Sequence, residues 1–328
     1  MTSTNSSPGI TISGDHDQFE RARTGLYSFD VLMGNKAKLG FPLRTLTELY
    51  ANQGIGKTTF ATFLAGVTAP PDSIIAFADL EGGLEREHLR SNLMQSGFTG
   101  QFKFAELTHT TGRKNGTQRS HGEMCQDVAN SLMEGAHAAI FDSIGAYVSH
   151  SELANDIGEA NMGRRAMEVA QLSRKLMSIL RVSPDPAVAI MINHTYPNIG
   201  SRGYSTPGGN VKGYAAANRI MLYHKETFED PHGTLVEMKL DKMRYGGKKP
   251  GQRALVFIIP GLGVSPHMTA LFDCINLGLV SRSNTIKVGD KSYGYLKHII
   301  QKVADQEDLE MFVDFYLLLE EYERTMYH

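Results

Sequence analysis

Between an apolar run, Leu43 to Tyr50, and a helical pattern, Thr59 to Val67, lie the eight residues Ala51-Asn52-Gln53-Gly54-Ile55-Gly56-Lys57-Thr58. Strand, glycine-bearing turn, Lys-Thr and helix in that order confine a chain to few folds. The turn must let consecutive amides curl inward around an anion where a side chain would block the approach, and Gly54 and Gly56 allow that curl. Lys57 is then placed to reach the β and γ phosphates of a nucleoside triphosphate, and Thr58 offers a hydroxyl to Mg²⁺. Thr59 opens a helix whose amino end adds its positive dipole at the same spot. Ala51 stands where the usual pattern has its first glycine.

The chain's 328 residues, 41% hydrophobic and 21% charged, suffice for one large α/β core with a smaller appended module. Cys125 and Cys274 lie far apart without Cys-x-x-Cys or Cys/His spacing, which speaks against a disulfide framework or zinc site and fits a reducing cytoplasm. No apolar run approaches the roughly 18 residues of a membrane span. The Ser/Thr/Gly-rich start lacks a signal core, so a cytoplasmic location without a membrane partner is expected. A formal net charge of −2 argues against a globally basic nucleic-acid binder but leaves room for a local basic groove.

Residues 1–22 read as a flexible arm, residues 23–264 as the core and residues 265–328 as a small carboxy-terminal lobe. Within the core, Leu43 to Tyr50, Ser73 to Ala78, Phe102 to Leu107, Ala136 to Phe141 and Ala187 to Ile192 are strand candidates, apolar on both faces as buried parallel strands are. Ser120 with Glu123 has capping-box spacing before a helix to Met133, and Ala166, Ala170, Ser173, Met177 and Leu180 share one helical face. After Asn218 come successive strands, Arg219 to Tyr223, Leu235 to Arg244 and Ala254 to Ile259, expected to extend the sheet as hairpins. Ser265 and Pro266 read as the cap and first turn of a helix through Leu277. This is an α/β fold with a mostly parallel central sheet.

Acidic residues after the other strands decide what the phosphate loop serves. Asp142 ends an apolar run and is placed to hold Mg²⁺ beside Thr58, the alternative being a helix cap. Glu81 follows the strand next after the loop, at the carboxyl end where ligands gather, and there a carboxylate can orient or deprotonate water; a solvated glutamate is the alternative.

The segments Arg23 to Asp30, Leu49 to Thr59, Phe77-Ala78-Asp79-Leu80-Glu81, Phe141-Asp142-Ser143 and Ile192-Asn193-His194-Thr195-Tyr196 resemble, in order and spacing, the signatures of RecA-type strand-exchange ATPases. The last is especially similar to the UvsX recombinases of bacteriophages, and Thr206-Pro207-Gly208-Gly209-Asn210 resembles the end of the family's second DNA-binding loop. The resemblance implies a RecA-like P-loop ATPase core using ATP and Mg²⁺. It implies that Glu81 activates water and that Asn193-His194 links the γ-phosphate to the DNA loop, His194 standing where many relatives carry glutamine. It makes 149–162 and 196–214 DNA-contact loops, with Arg164, Arg165, Arg202 and Lys212 as cations and Met162 and Ile199 as residues inserted into an extended strand. Lys242 and Arg244, on one face of a strand, match cations that reach a neighbouring protomer's triphosphate, surface ladder cations being the plainer account. Glu85 and His88, a helical turn apart, match the adenine-contacting positions. Phe19-Glu20-Arg21-Ala22 is reminiscent of a Phe-x-x-Ala motif with which relatives dock protomers.

The function so implied is an ATP-dependent recombinase that polymerises on single-stranded DNA and exchanges strands with homologous duplex, with single-strand-binding and loading proteins as further partners. A RecA-fold ring helicase and an accessory ATPase that regulates recombinase assembly are the alternatives. Lys287, Lys291, Lys297 and Lys302, ahead of an acidic end, leave the last lobe open to holding duplex DNA or to regulating access to it.

Overall fold

The computed structural model describes residues 20–35, 37–105, 120–149, 152, 162–197, 204–205, 216–246, 249–283 and 285–327. Along the chain, β1 (Arg21–Ala22), α1 (Tyr27–Met33) and β2 (Phe41–Pro42) precede the loop-bearing strand β3 (Leu46–Ala51) and its helix α2 (Lys57–Thr68). Then β4 (Ile74–Asp79), α3 (Arg86–Met94), β5 (Gln101–Ala105), α4 (His121–Met133), β6 (Ala138–Asp142), α5 (Met162–Val182) and β7 (Val188–His194) alternate. The short strands β8 (Tyr196–Pro197) and β9 (Tyr204–Ser205) pair with each other, and β10 (Asn218–Glu229), β11 (His232–Met243), β12 (Arg253–Ile259) and β13 (Gly263–Val264) follow.

Among the described residues these strands form a nine-stranded sheet in the order β13-β12-β11-β10-β3-β7-β6-β4-β5. It is parallel from β10 through β5, and β11, β12 and β13 continue it as an antiparallel meander. The parallel part follows from sequence, because β3, β6 and nearly all of β4 and β7 are buried along their length and both sheet faces need a helical cover. Leu26, Phe29, Phe60, Phe63 and Leu89 cover one face, and Met124, Val128, Leu132, Leu172, Leu176 and Leu180 cover the other. The expected capping box is formed: the Ser120 hydroxyl accepts from the Glu123 amide, and the Ser120 amide donates to Glu123 Oε2 at 2.9 Å.

The boundary drawn at residue 22 is corrected by the structure. Ala22 pairs with Phe41 and Arg21 with Pro42, so this stretch is a strand of its own core rather than part of a free arm. Arg21 fixes it there, its guanidinium donating to the carbonyls of Met33, Gly40 and Tyr245. The second expected loop, 196–214, also opens with structure, since Tyr196 faces Ser205 across a two-stranded pairing.

The lobe begins with α6 (Pro266–Asn276), capped by Ser265 as expected, followed by the three-stranded sheet β14 (Ser281–Arg282), β15 (Ile286–Val288) and β16 (Lys291–Gly294), then α7 (Leu296–Ala304) and α8 (Val313–Tyr327). It is not a separate globule. Leu235, Leu255 and Phe257 of the large sheet share one apolar cluster with Leu271 and Phe272 of α6 and with Ile299, Phe312 and Phe315. Two polar ties reinforce this: Arg23 meets Glu323 through two hydrogen bonds of 3.0 Å, and Arg282 meets Glu226.

Candidate active site

The order β3-β7-β6-β4 places four carboxyl ends side by side, the region where open α/β sheets collect ligands. Ala51 is in register with His194, and Asp79 with Asp142. Leu80 donates its amide to the Asp142 carbonyl at 2.6 Å, carrying the chain from β4 straight past β6. The local sequence then turns Glu81 inward, because the Asp79 carboxylate accepts from the amides of Gly82 and Leu84 and closes a tight turn around it.

The phosphate loop has the conformation its glycines predict. Gly54 (φ +78°) and Gly56 (φ +89°) both lie in the left-handed region, and Gly56 caps α2. A Cβ on Gly56 would come within 2.5 Å of Ile258 Cδ1, so close packing demands glycine there as well. The Lys57 ammonium donates to the carbonyls of Ala51 (3.3 Å) and Asn52 (2.8 Å) at the mouth of the loop, and burial pulls its pKa below the usual lysine range. Such a cation is suited to an anionic ligand that would restore what burial removes.

The Thr58 hydroxyl donates to Asp142 Oδ2 at 2.5 Å, so a hydroxyl and a carboxylate oxygen converge beside the helix amino end. Burial raises the Asp142 carboxyl to about 6, with the charges of Glu81 and Asp79 adding to the effect and the Thr58 hydroxyl and Lys57 opposing it. A bound divalent cation would hold this group ionised. No cluster of three or more His, Cys, Asp or Glu residues that could hold a metal occurs among the described residues. One carboxylate, one hydroxyl and phosphate oxygens are the donor set of a Mg²⁺–nucleotide site, and Thr58 and Asp142 fit it.

Glu81 is the hub. Its Oε1 accepts from the Ser143 hydroxyl at 2.5 Å and lies 2.8 Å from His194 Nε2, which donates in the tautomer protonated there. Burial alone would raise the Glu81 carboxyl, but the hydrogen bonds from Ser143 and His194, with the charges of His194 and Lys57, hold it below the ordinary glutamate value. It is therefore ionised at neutral pH, as a water-activating base must be. Glu81, His194, Gln53, Gly145 and Tyr196 line an open cavity of about 430 Å³.

Along 277 residues, covering 82% of this chain and 72% of the relative, the sequence is 26% identical to the RecA protein of Solidesulfovibrio magneticus. Along 311 residues, covering 88% and 80%, it is 24% identical to the RecA protein of Aquifex aeolicus. The solved structure of the RadB recombinase shares the fold, with a TM-score of 0.52 at 18% identity over 74% of this chain and 98% of that one. These likenesses are to RecA-type recombinases. No protein-family model matches it.

Other expected residues lie around this site or beyond it. Asn193 is fully buried and donates to Glu48 Oε1 at 2.9 Å, while Arg219 pairs with Glu48 Oε2 at 2.7 Å. Glu85 is the extended N-cap of α3 and His88 lies in its first turn. Arg165 turns back to donate to the carbonyls of Ile144 and Gly145, whereas Arg164 is exposed. Met162 opens α5. Lys242 and Arg244 sit at the far end of β11, level with Asn218, Thr47 and the start of β3, and so lie away from their own protomer's phosphate loop. Lys242 donates to the Ala216 carbonyl at 2.7 Å. Phe19, Ile199, Arg202, Gly208, Gly209, Asn210 and Lys212 lie outside the described residues.

Four contributors to the site were not singled out from sequence. Ser143 supplies the second hydrogen bond to Glu81, and Asp79 shapes its turn. Thr195 donates to Asn52 Oδ1 at 2.6 Å, joining the end of β7 to the phosphate loop. Gly145 lets His194 approach, since a Cβ there would lie 2.8 Å from His194 Cδ2. Ser143 follows Asp142 directly and Asp79 precedes Glu81 by two, which are the sequence signals that point to them.

Proposed function

We propose that this chain is an ATP-dependent recombinase that assembles on single-stranded DNA, pairs it with homologous duplex and exchanges strands. The observation that carries the reading is the contact between Glu81, placed to activate water, and His194, the last residue of the strand that leads into Thr195, Tyr196 and the segment expected to contact DNA. A DNA-induced shift of that segment would be felt at the hydrolytic carboxylate, and a γ-phosphate beside Glu81 would be felt by the DNA segment. ATP with Mg²⁺ on Lys57, Thr58 and Asp142 favours the extended DNA-bound filament, and hydrolysis weakens it. Lys242 and Arg244, at the opposite end of the sheet, complete the site of a neighbouring protomer like an arginine finger, so that hydrolysis is tied to self-assembly. Arg164, Arg202, Lys212 and the Gly208-Gly209-Asn210 turn supply phosphate contacts. Single-strand-binding and loading proteins are the expected helpers, in a cytoplasmic setting.

The test is strand exchange between a single-stranded circle and homologous linear duplex, with ATP and with a slowly hydrolysed analogue. Homology-dependent joint molecules are expected with both, and release of the filament with ATP alone. DNA-stimulated hydrolysis without joint molecules would overturn the reading in favour of a ring helicase or an accessory ATPase.

A further inference from the structure

A second cavity lies away from the triphosphate site, where α1, the start of β12, α6 and α8 meet. Its volume is about 330 Å³, at the small end of the roughly 300–1,000 Å³ of small-molecule sites. Tyr27, Val31 and Leu32 of α1, Leu277 at the end of α6, and Tyr322 and Met326 of α8 supply its apolar walls.

Ser28, Gln252, Arg253, Asp273 and Asn276 are its polar lining, and of these Asp273 has its side chain buried, in an otherwise apolar stretch of α6. The Ser28 amide donates to Asp273 Oδ2 at 2.9 Å, and the Ser28 hydroxyl also bonds the carboxyl. Asp273 Oδ1 has no partner. Buried acceptors are normally satisfied, so an unsatisfied carboxylate oxygen on a residue that lines a cavity marks a place for a donor from outside the chain. Asp273 Oδ2 serves the Ser28 amide in the first turn of α1, and Oδ1 is left over.

The chemistry of the walls narrows the donor. Tyr27 and Tyr322 meet edge to face with ring centroids 6.4 Å apart, and aromatic faces attract cations. The Arg253 guanidinium at the rim is drawn off by Glu237. Asp30 lies near enough to Asp273 for its charge to act there, which disfavours an anion. Burial pushes the Asp273 carboxyl up to about 7, and an adjoining cation would bring it back down, so binding and ionisation support each other.

We propose that this cavity binds a small primary amine, its ammonium on Asp273 Oδ1 and its apolar body among Tyr27, Leu277 and Tyr322. Because α1 belongs to the core and α8 to the last lobe, the ligand fastens one to the other, and its binding is independent of the nucleotide site.

Calorimetric titration of the full chain with phenethylamine, and with 3-phenylpropionate as an anion of similar body, tests this. Saturable binding and a raised melting temperature are expected with the amine, and neither with the acid. Asp273→Asn keeps an acceptor for Ser28 but turns an NH₂ group to the cavity, and should weaken amine binding at least tenfold. Leu277→Trp fills the cavity while leaving Asp273 intact and should do the same, so the proposal stays testable if the Asn variant does not fold. No saturable binding of the amine to the native chain, equal binding by either folded variant, or equal binding of the acid would overturn it.

Discussion

Glu81 Oε1 and His194 Nε2 meet at 2.8 Å across 113 residues of chain, and they do so because β4 and β7 flank β6 and end at the same level. The Ser143 hydroxyl reaches that same carboxylate oxygen.

Glu81→Gln should lower the maximal hydrolysis rate by about 10²–10⁴-fold, the usual worth of a general base, with nucleotide affinity preserved. Ser143→Ala, which removes one hydrogen bond to a charged group, should lose up to about tenfold. Steady-state hydrolysis alongside equilibrium binding of a fluorescent ATP analogue separates the two quantities, and loss of binding in Glu81→Gln would refute the assignment.

Lys57→Ala should abolish hydrolysis. The ammonium is buried at the loop mouth. Unchanged turnover in this variant would remove the phosphate loop from the mechanism.

Gly56→Ala should destabilise the chain by about 1–3 kcal/mol, the cost of a strained left-handed backbone, and should weaken nucleotide binding. The added methyl also meets Ile258 Cδ1. Combining it with Ile258→Ala relieves the collision but not the backbone, so urea denaturation should show the double variant still short of the sum expected for an unstrained helix cap.

Glu48 is buried between Asn193 and Arg219. Arg219→Met takes the cation away from a buried carboxylate and should cost about 3–5 kcal/mol, whereas Arg219→Met with Glu48→Gln should recover most of that. Chemical denaturation of the two variants decides the point, and equal losses would mean that the pair carries no coupling.

Asp273 gives a pH signature. Its folded-state carboxyl titrates at about 7, above its unfolded value of about 3.9, so the native state holds the extra proton between those limits. The stability this group contributes is full below about pH 4 and is lost as pH rises toward 7; Asp30, raised by burial, acts in the same direction. Asp273→Asn should flatten that fall, measured as unfolding free energy at pH 5 and pH 8 relative to the native chain. An identical pH slope in both would show that Asp273 stays ionised.

Much of the site was legible in the sequence, and the reason is local. Lys57, Thr58, Glu81, Asp142 and His194 each follow an apolar run, and in a parallel sheet the ends of such runs meet by construction. What escaped depends on partners distant in sequence. Ser143 and Thr195 matter only because of Glu81 and Asn52, and the Glu48 carboxylate that Asn193 meets lies on the adjoining strand. Ala22 shows the same limit, since a two-residue strand has no period to read and is held by an arginine whose acceptors lie as far along as Tyr245. The continuity of the last lobe with the core is equally silent, because the cluster joining Leu235 to Phe315 follows from packing.

The register that brings Ala51 beside His194 also sets when the chain can first act. Asn52 and Thr195, which pin those ends together, stand 143 residues apart, so the contacts are of high sequence separation and are closed late by a folding chain. A refolding protein should therefore regain helical signal and compactness first and hydrolysis last, and a chain emerging from the ribosome is chemically mute until its fifth parallel strand, β7, has slotted between two that were made long before it.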